Sequence, residues 1–252
     1  MKAMVLAAGL GTRLRPLTND RPKALVELSG RTLLEITLSR LRAFGIKEVI
    51  LNVHHHASLV IEYLAAHKNF GMRIEISREE RLLDTGGGLK NAAWFFQASS
   101  GSKEPFLLHN VDVISSIDLG RMVDFHSQTR SLATLAVQDR KSSRPLLFDQ
   151  ESRLCGRASE DPRLEPVGIR KPLQRLAFCG IHLISPRLFE LMTEEGEFSI
   201  ISTYVRLAAQ GEPIRGFRAD DFYWRDLGKP EHIAQAEQDL QAHMLGSFSL
   251  PV

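Results

Sequence analysis

The chain alternates two kinds of apolar segment, and that alternation limits its possible folds more than any other feature. "AMVLAA" (3–8) is an unbroken apolar run, the pattern of a strand buried on both faces. "TLLEITLSRLRAFG" (32–45) instead spaces Leu33, Leu34, Leu38, Leu41 and Phe44 along one helical stripe and closes at Gly45. "EVILNV" (48–53) reads as a strand, "SLVIEYLAAH" (58–67) as a helix capped by Ser58, and "MRIEIS" (72–77) as a strand again. "PFLLHNVDVI" (105–114), "LATLAVQD" (132–139) and "LAFCGIHLIS" (176–185) are further buried-strand runs. Strand–helix–strand repetition predicts a doubly wound, Rossmann-like α/β fold: a mostly parallel sheet with helices on both faces.

Other segments fit around that frame. A helix is expected after the glycines at 86–88, another from Pro186 in "PRLFELM", and others over 199–211 and 230–245. "IRGFRAD" and "FYWRDL" read as a late β pair. From about 140 to 175 the pattern loosens, with a turn at "DQESR", and a small β insertion carrying a hairpin is expected beside the active site. No repeat or linker divides the chain, so 1–252 reads as one domain with 246–252 as a tail.

Composition excludes several classes. A chain of 252 residues with 43% hydrophobic and 25% charged residues is that of an ordinary globular protein. A net charge of +2 argues against a broad nucleic-acid surface. Two cysteines do not make a disulfide framework and suit a reducing cytoplasm. No run reaches the roughly 18 apolar residues of a membrane span, and the N-terminal run is too short for a signal peptide. A cytoplasmic protein without a membrane partner is expected; oligomeric state is not readable.

The loop behind the first strand, "GLGTRLRPLTNDRPK" (9–23), carries the chemistry. It leaves the carboxyl end of a strand, where open parallel sheets bind ligands. Gly9 and Gly11 let the backbone turn tightly and offer N–H groups to phosphate, while Arg13 and Lys23 add positive charge. The loop lacks the G-x-x-x-x-G-K-[ST] of a P-loop. It also has Leu14 where a dinucleotide fingerprint needs glycine, which argues against a nicotinamide oxidoreductase.

"LAAGLGTRLRPLTNDRPKALVEL" resembles the signature of the sugar-1-phosphate nucleotidyltransferases, roughly L-A-x-G-x-G-x-R-[LM]-x-P-L-T-x-x-x-P-K-x-[LM]. The resemblance implies a GT-A-like nucleotidyltransferase fold. It also implies that Ala8, Gly9, Gly11, Thr12 and Arg13 meet the nucleotide, that Arg13 holds the departing pyrophosphate, and that Lys23 holds the reacting phosphates. "LDTGGGLKNA" (83–92) resembles the segment that packs on the nucleobase, placing Thr85, Gly86 and Gly87 there, with Asn110 of "HNVDV" also at the nucleotide. Glycines are costly inside a helix, which points to close backbone approach to a ligand. "RKP" (170–172) resembles an E-K-P element whose lysine, here Lys171, meets the sugar phosphate, and Gly180 falls at the glycine that approaches the sugar.

Joining two polyanions calls for a divalent cation with hard oxygen ligands. Asp112 and Asp226 each end a strand-like run, and in the resembling family such aspartates bind the metal together, so Mg2+ is expected on this pair. The expected substrates are a nucleoside triphosphate and a sugar 1-phosphate. The short form resembles N-acetylmuramate-1-phosphate uridylyltransferases and also mannose- or heptose-1-phosphate guanylyltransferases. A catalytically idle nucleotide-sugar binder is the rival of another class. The triple "HHH" (54–56) points its side chains to opposite faces of an extended segment and reads as a loop feature, and "WFFQ" as core.

Overall fold

The structure, a computed structural model, describes residues 1–97, 104–158 and 172–242. In chain order, β1 (Ala3–Leu6) leads through the basic loop to a small hairpin, β2 (Glu27–Leu28) and β3 (Arg31–Thr32), and then to α1 (Leu33–Ala43). β4 (Glu48–Val53), α2 (Ala57–Ala66) and β5 (Arg73–Arg78) repeat the alternation, and α3 (Asp84–Asn91) and α4 (Ala93–Gln97) precede β6 (Phe106–Asn110). Next come β7 (Val113–Ser115), α5 (Leu119–Gln128), β8 (Ala133–Gln138), β9 (Leu146–Phe148) and β10 (Leu154–Arg157). β11 (Gln174–Ile184), α6 (Leu188–Leu191), α7 (Ile200–Ala209), β12 (Ile214–Arg218), β13 (Trp224–Asp226) and α8 (Pro230–Gln241) follow.

The centre of the main sheet is parallel, in the order β6-β1-β4-β5, with Val5 opposite Leu51 on one side and His109 on the other. β11 runs antiparallel beside β6 and pairs in turn with β8 and β9, while β12 lies parallel to β8. Helices cover both faces. Ala3 and Val5 of β1 join a core layer with Leu38 of α1, Val60 of α2 and Met122 of α5. Met4 points the other way, to a layer with Leu89 of α3, Phe96 of α4 and Tyr204 of α7. Neither face of β1 meets water, which is why its sequence has no polar alternation. α8 packs on a third cluster through Ile233 and Ala236, against Leu14 and Leu227.

The expected elements differ from the observed ones in several places. Ser58 does not cap α2; the N-cap is His56, in a left-handed conformation with φ 55° and no side-chain cap bond. The run 105–114 breaks into β6 and β7 at Val111 and Asp112, because β7 leaves the main sheet to pair with β13. The glycines at 86–88 lie within α3 instead of before it. Pro186 precedes a helix of only four residues. "IRGFRAD" and "FYWRDL" do not pair with each other: β12 extends the main sheet at β8, and β13 pairs antiparallel with β7. The hairpin in the 140–175 region is present as β9 and β10, its turn held by the Asp149 carboxylate accepting from the backbone N–H groups of Glu151 and Arg153 at 3.0 and 2.8 Å. It is also bonded into the sheet through β11. No described helix is long and apolar enough to cross a membrane.

Candidate active site

A cleft of roughly 460 Å3 opens where the carboxyl ends of β1, β4 and β6 meet, lined by Ala8, Gly9, Arg13, Lys23, Thr85, Asn110, Asp112 and Asp226 among others. The basic loop that forms one wall is anchored by its own residues. Leu14 is fully buried in the third core cluster, so the segment Thr12–Leu14 is pinned against the body of the fold. Gly11 precedes it at φ 65°, a left-handed conformation that disfavours side chains, and its carbonyl accepts from the Thr18 hydroxyl at 2.8 Å. A Cβ on Gly11 would stand 2.9 Å from the Thr18 methyl. Gly11 and Thr12 therefore shape the loop without lining the cleft.

The two aspartates converge through backbone pairing. Asp112 immediately precedes β7 and Asp226 ends β13, opposite Val113, while the Leu227 N–H donates to the Asp112 carbonyl at 2.7 Å. The Lys23 ammonium forms an ion pair with the Asp112 carboxylate, and both side chains are largely buried. The Asp226 carboxylate accepts from Gly228 N–H at 2.9 Å, and a Cβ on Gly228 would stand 2.7 Å from that oxygen and 2.8 Å from the Arg13 guanidinium. Burial and the neighbouring Asp112 charge raise the Asp226 carboxyl above its ordinary value, against the opposing pull of the Gly228 N–H, Lys23 and Arg13. Two carboxylates and two cations thus meet at one mouth.

The opposite wall is α3 and the segment before α7. Thr85 faces the cleft and its hydroxyl accepts from Ile200 N–H at 3.0 Å. Gly86 and Gly87 donate their N–H groups to the Phe198 carbonyl, at 2.9 and 3.3 Å. A Cβ on Gly86 would collide with the Phe198 ring, and one on Gly87 with the Gly196 carbonyl. The close approach expected of these glycines is made to the chain's own residues 196–198. Gly88 fits against Glu79 and Asn52, where a Cβ would lie 2.7 and 2.8 Å from their polar atoms.

Asn52 and Glu79 are cleft-lining residues that the sequence reading missed. Both are buried, and they form a network: Asn52 accepts from Ala7 N–H at 2.7 Å and donates to Glu79 at 2.7 Å, while Glu79 also accepts from Leu83 N–H at 3.1 Å. This ties the end of β1 to β4 and to the entry of α3. The available signal was an asparagine inside the apolar strand "EVILNV".

On β11, Gly180 takes φ 73° at an irregularity in the β11–β8 register, and a Cβ there would sit 2.8 Å from the Asn110 side-chain amide. Trp224 bridges the strands that carry Gly180 and Asp226, donating to the Cys179 carbonyl at 2.7 Å beneath the Arg140 guanidinium, which lies 3.6 Å from the ring centroid. Lys171 lies outside the described residues. The triple histidine does not gather on one point: the His54 ring contacts the Glu79 carbonyl at 2.9 Å, while the rings of His55 and His56 pack on each other. No group of three or more His, Cys, Asp or Glu suited to a metal occurs among the described residues.

Residues 2–243 match the family described as "Nucleotidyl transferase". The chain belongs to the nucleotidyl transferase family. As a member, it is 35% identical over 246 residues to the N-acetylmuramate alpha-1-phosphate uridylyltransferase of Caulobacter vibrioides, covering 94% of this chain and 96% of that protein. It is 31% identical to the mannose-1-phosphate guanylyltransferase of Mycobacterium tuberculosis, again over 94% of this chain but over only 64% of that longer protein. A crystal structure of a UDP-glucose pyrophosphorylase complexed with UDP-glucose superposes with a TM-score of 0.76 at 17% identity, covering 96% of this chain and 98% of that one, which establishes the shared fold. The doubly wound α/β arrangement read from the sequence is therefore the nucleotidyl transferase fold.

Proposed function

We propose that this nucleotidyl transferase joins a sugar 1-phosphate to a nucleoside triphosphate, releasing pyrophosphate, with N-acetylmuramate 1-phosphate and UTP as the substrate pair. The observation that carries the reading is the meeting of Arg13 and Lys23 with Asp112 and Asp226 at the mouth of the cleft. The 35% identical relative, matched over nearly its full length, supports the choice of substrates. Guanylyl transfer to mannose 1-phosphate is the second reading, favoured by relatives that this chain matches over about three-fifths of their length.

In the proposed reaction an oxygen of the sugar 1-phosphate attacks the α-phosphorus in line, a new P–O bond forms, and the bond to the bridging oxygen of pyrophosphate breaks. The nucleophile is already an anion, so no side chain has to remove a proton. Arg13 offers a planar fork to the departing pyrophosphate, and Lys23 a point charge to the transferred phosphate. Ala8, Gly9 and the loop shaped by Gly11 and Thr12 carry the triphosphate. Thr85, on the helix made compact by Gly86 and Gly87, borders the nucleoside together with Asn110. Gly180 borders the sugar, and Lys171 is assigned to its phosphate by resemblance.

Two converging hard-oxygen ligands fit a divalent cation whose remaining positions substrate phosphates fill, whereas soft-metal chemistry would need a different donor set. Asp112 and Asp226 would hold Mg2+, which supplies charge neutralisation between two polyanions. The chain is proposed to act as one domain in the cytoplasm, where its two cysteines stay reduced. The deciding experiment is a pyrophosphate-release panel of four nucleoside triphosphates against several sugar 1-phosphates. Greatest turnover with UTP and N-acetylmuramate 1-phosphate is expected. Preference for GTP with mannose 1-phosphate favours the second reading, and nucleotide-sugar binding without release identifies an idle binder.

A further inference from the structure

A second cavity, of roughly 240 Å3, opens beside the main cleft, lined by Arg144, Arg157, Leu146, Phe178, Ser142 and Ser199 among others. Two chain segments connect the two spaces. Glu197 lines the main cleft and Ser199, two residues on, lines this cavity. Phe178 lines it as well, two residues before the Gly180 that abuts Asn110 of the main cleft. Strand pairing builds its floor: Leu146 of β9 lies between Arg157 of β10 and Leu176 of β11, and the same β11 carries Phe178 two residues further on.

Among the described residues the charge of this cavity is one-sided. The main cleft mixes Arg13 and Lys23 with several carboxylates, but no described carboxylate lines the second cavity. Arg144 and Arg157 are exposed, and neither guanidinium bonds to a described residue. A guanidinium presents a planar fork that matches a carboxylate, and two of them at one cavity repel each other until an anion lies between them. Leu146 and Phe178 supply an apolar wall suited to the C–H face of a pyranose, with serine hydroxyls beside it. An uncharged hexose offers hydroxyl acceptors but no anionic group to offset the two arginines.

Resting on the nucleotidyl-transfer reading of the main cleft, we infer that this cavity receives the sugar and that Arg144 and Arg157 bind a carboxylate carried on it. The sugar substrate is then an acidic sugar 1-phosphate, and the two arginines determine that specificity.

The test compares N-acetylmuramate 1-phosphate with N-acetylglucosamine 1-phosphate, which lacks only the carboxylate-bearing lactyl ether. Calorimetric binding to the full chain is measured for the wild type, Arg144→Gln and Arg157→Gln, and pyrophosphate release with UTP is followed in parallel. The wild type is expected to bind the acidic sugar about ten- to a hundredfold more tightly, as charged hydrogen bonds allow. Each substitution should remove most of that preference and leave binding of the neutral sugar unchanged, which also reports that the variant is folded. Equal wild-type affinity for the two sugars, or equal weakening of both by the substitutions, overturns the inference. Release with the neutral sugar and no effect of either substitution rejects the cavity assignment while the reaction stands. A binding preference without release from any pair rejects the reaction and leaves the carboxylate site in place.

Discussion

Lys23 and Asp112, 89 residues apart in the chain, are joined by an ion pair at the mouth of the cleft. The lysine comes from the loop behind β1 and the aspartate from the break between β6 and β7, so the pair closes two adjacent strand ends into one charged rim.

Removing either charge should cost turnover more than it costs the fold. Lys23→Ala or Asp112→Asn is expected to lower the rate of pyrophosphate release at least about a hundredfold, since each removes a preorganised charge from the reacting phosphates. Near-normal release by either variant would remove that residue from the mechanism.

The α3 glycines give a prediction about stability. In Gly87→Ala the new methyl would meet the Gly196 carbonyl, a backbone atom that cannot rotate aside. A loss of about 1–3 kcal/mol is expected in denaturant unfolding, the usual range for overpacking. An unchanged unfolding midpoint would mean that residues 196–198 yield freely.

Glu79 is buried and accepts from both Asn52 and Leu83 N–H. Glu79→Ala leaves two donors unpaired and should cost about 2–6 kcal/mol, whereas Glu79→Gln keeps an acceptor and should cost less. Equal losses in the two variants would show that packing, and not hydrogen bonding, is what the position supplies.

Acid should weaken the fold through buried histidines. Burial holds His126 down to about 4, and burial with the nearby His109 holds His182 down to about 3. An unfolded histidine takes its proton near pH 6.5, so the unfolded state binds more protons as pH falls below that value. Stability is therefore fully present above about pH 6.5 and declines towards pH 4 for His126. Between pH 7 and pH 5 the loss should be about 2 kcal/mol per such histidine, and His126→Asn should lose that much less than the wild type. Identical pH dependence of the two unfolding curves would place the acid sensitivity elsewhere.

The sequence disclosed what depends on local pattern. β1 was legible because both of its faces are buried, and α1 because Leu34, Leu38 and Leu41 face one core layer while Leu33 packs in the third cluster. The loop at 9–23 was legible because its glycines and cations sit at a strand end. Partnership was not legible. Nothing local says that "FYWRDL" pairs with β7 and not with its neighbour β12, since that choice is made by residues more than a hundred positions away. The glycines at 86–88 read as sites of close approach to a ligand, whereas the close approaches present in the fold are to residues 196–198 and to Glu79 and Asn52. Asn52 stayed hidden because a polar residue in an apolar strand shows its purpose only when Ala7 and Glu79 are beside it.

The short ladder of β7 and β13 is separate from the main sheet, and a single rung of it sets Asp226 beside the Asp112 turn. A chain ending before residue 224 would carry half of an acidic pair, and it would also lack Leu227, Ile233 and Ala236, which pack with Leu14 of the basic loop. The spacing of the two carboxylates thus depends on three rungs outside the main sheet, so fraying there would part them while the central strands stay paired.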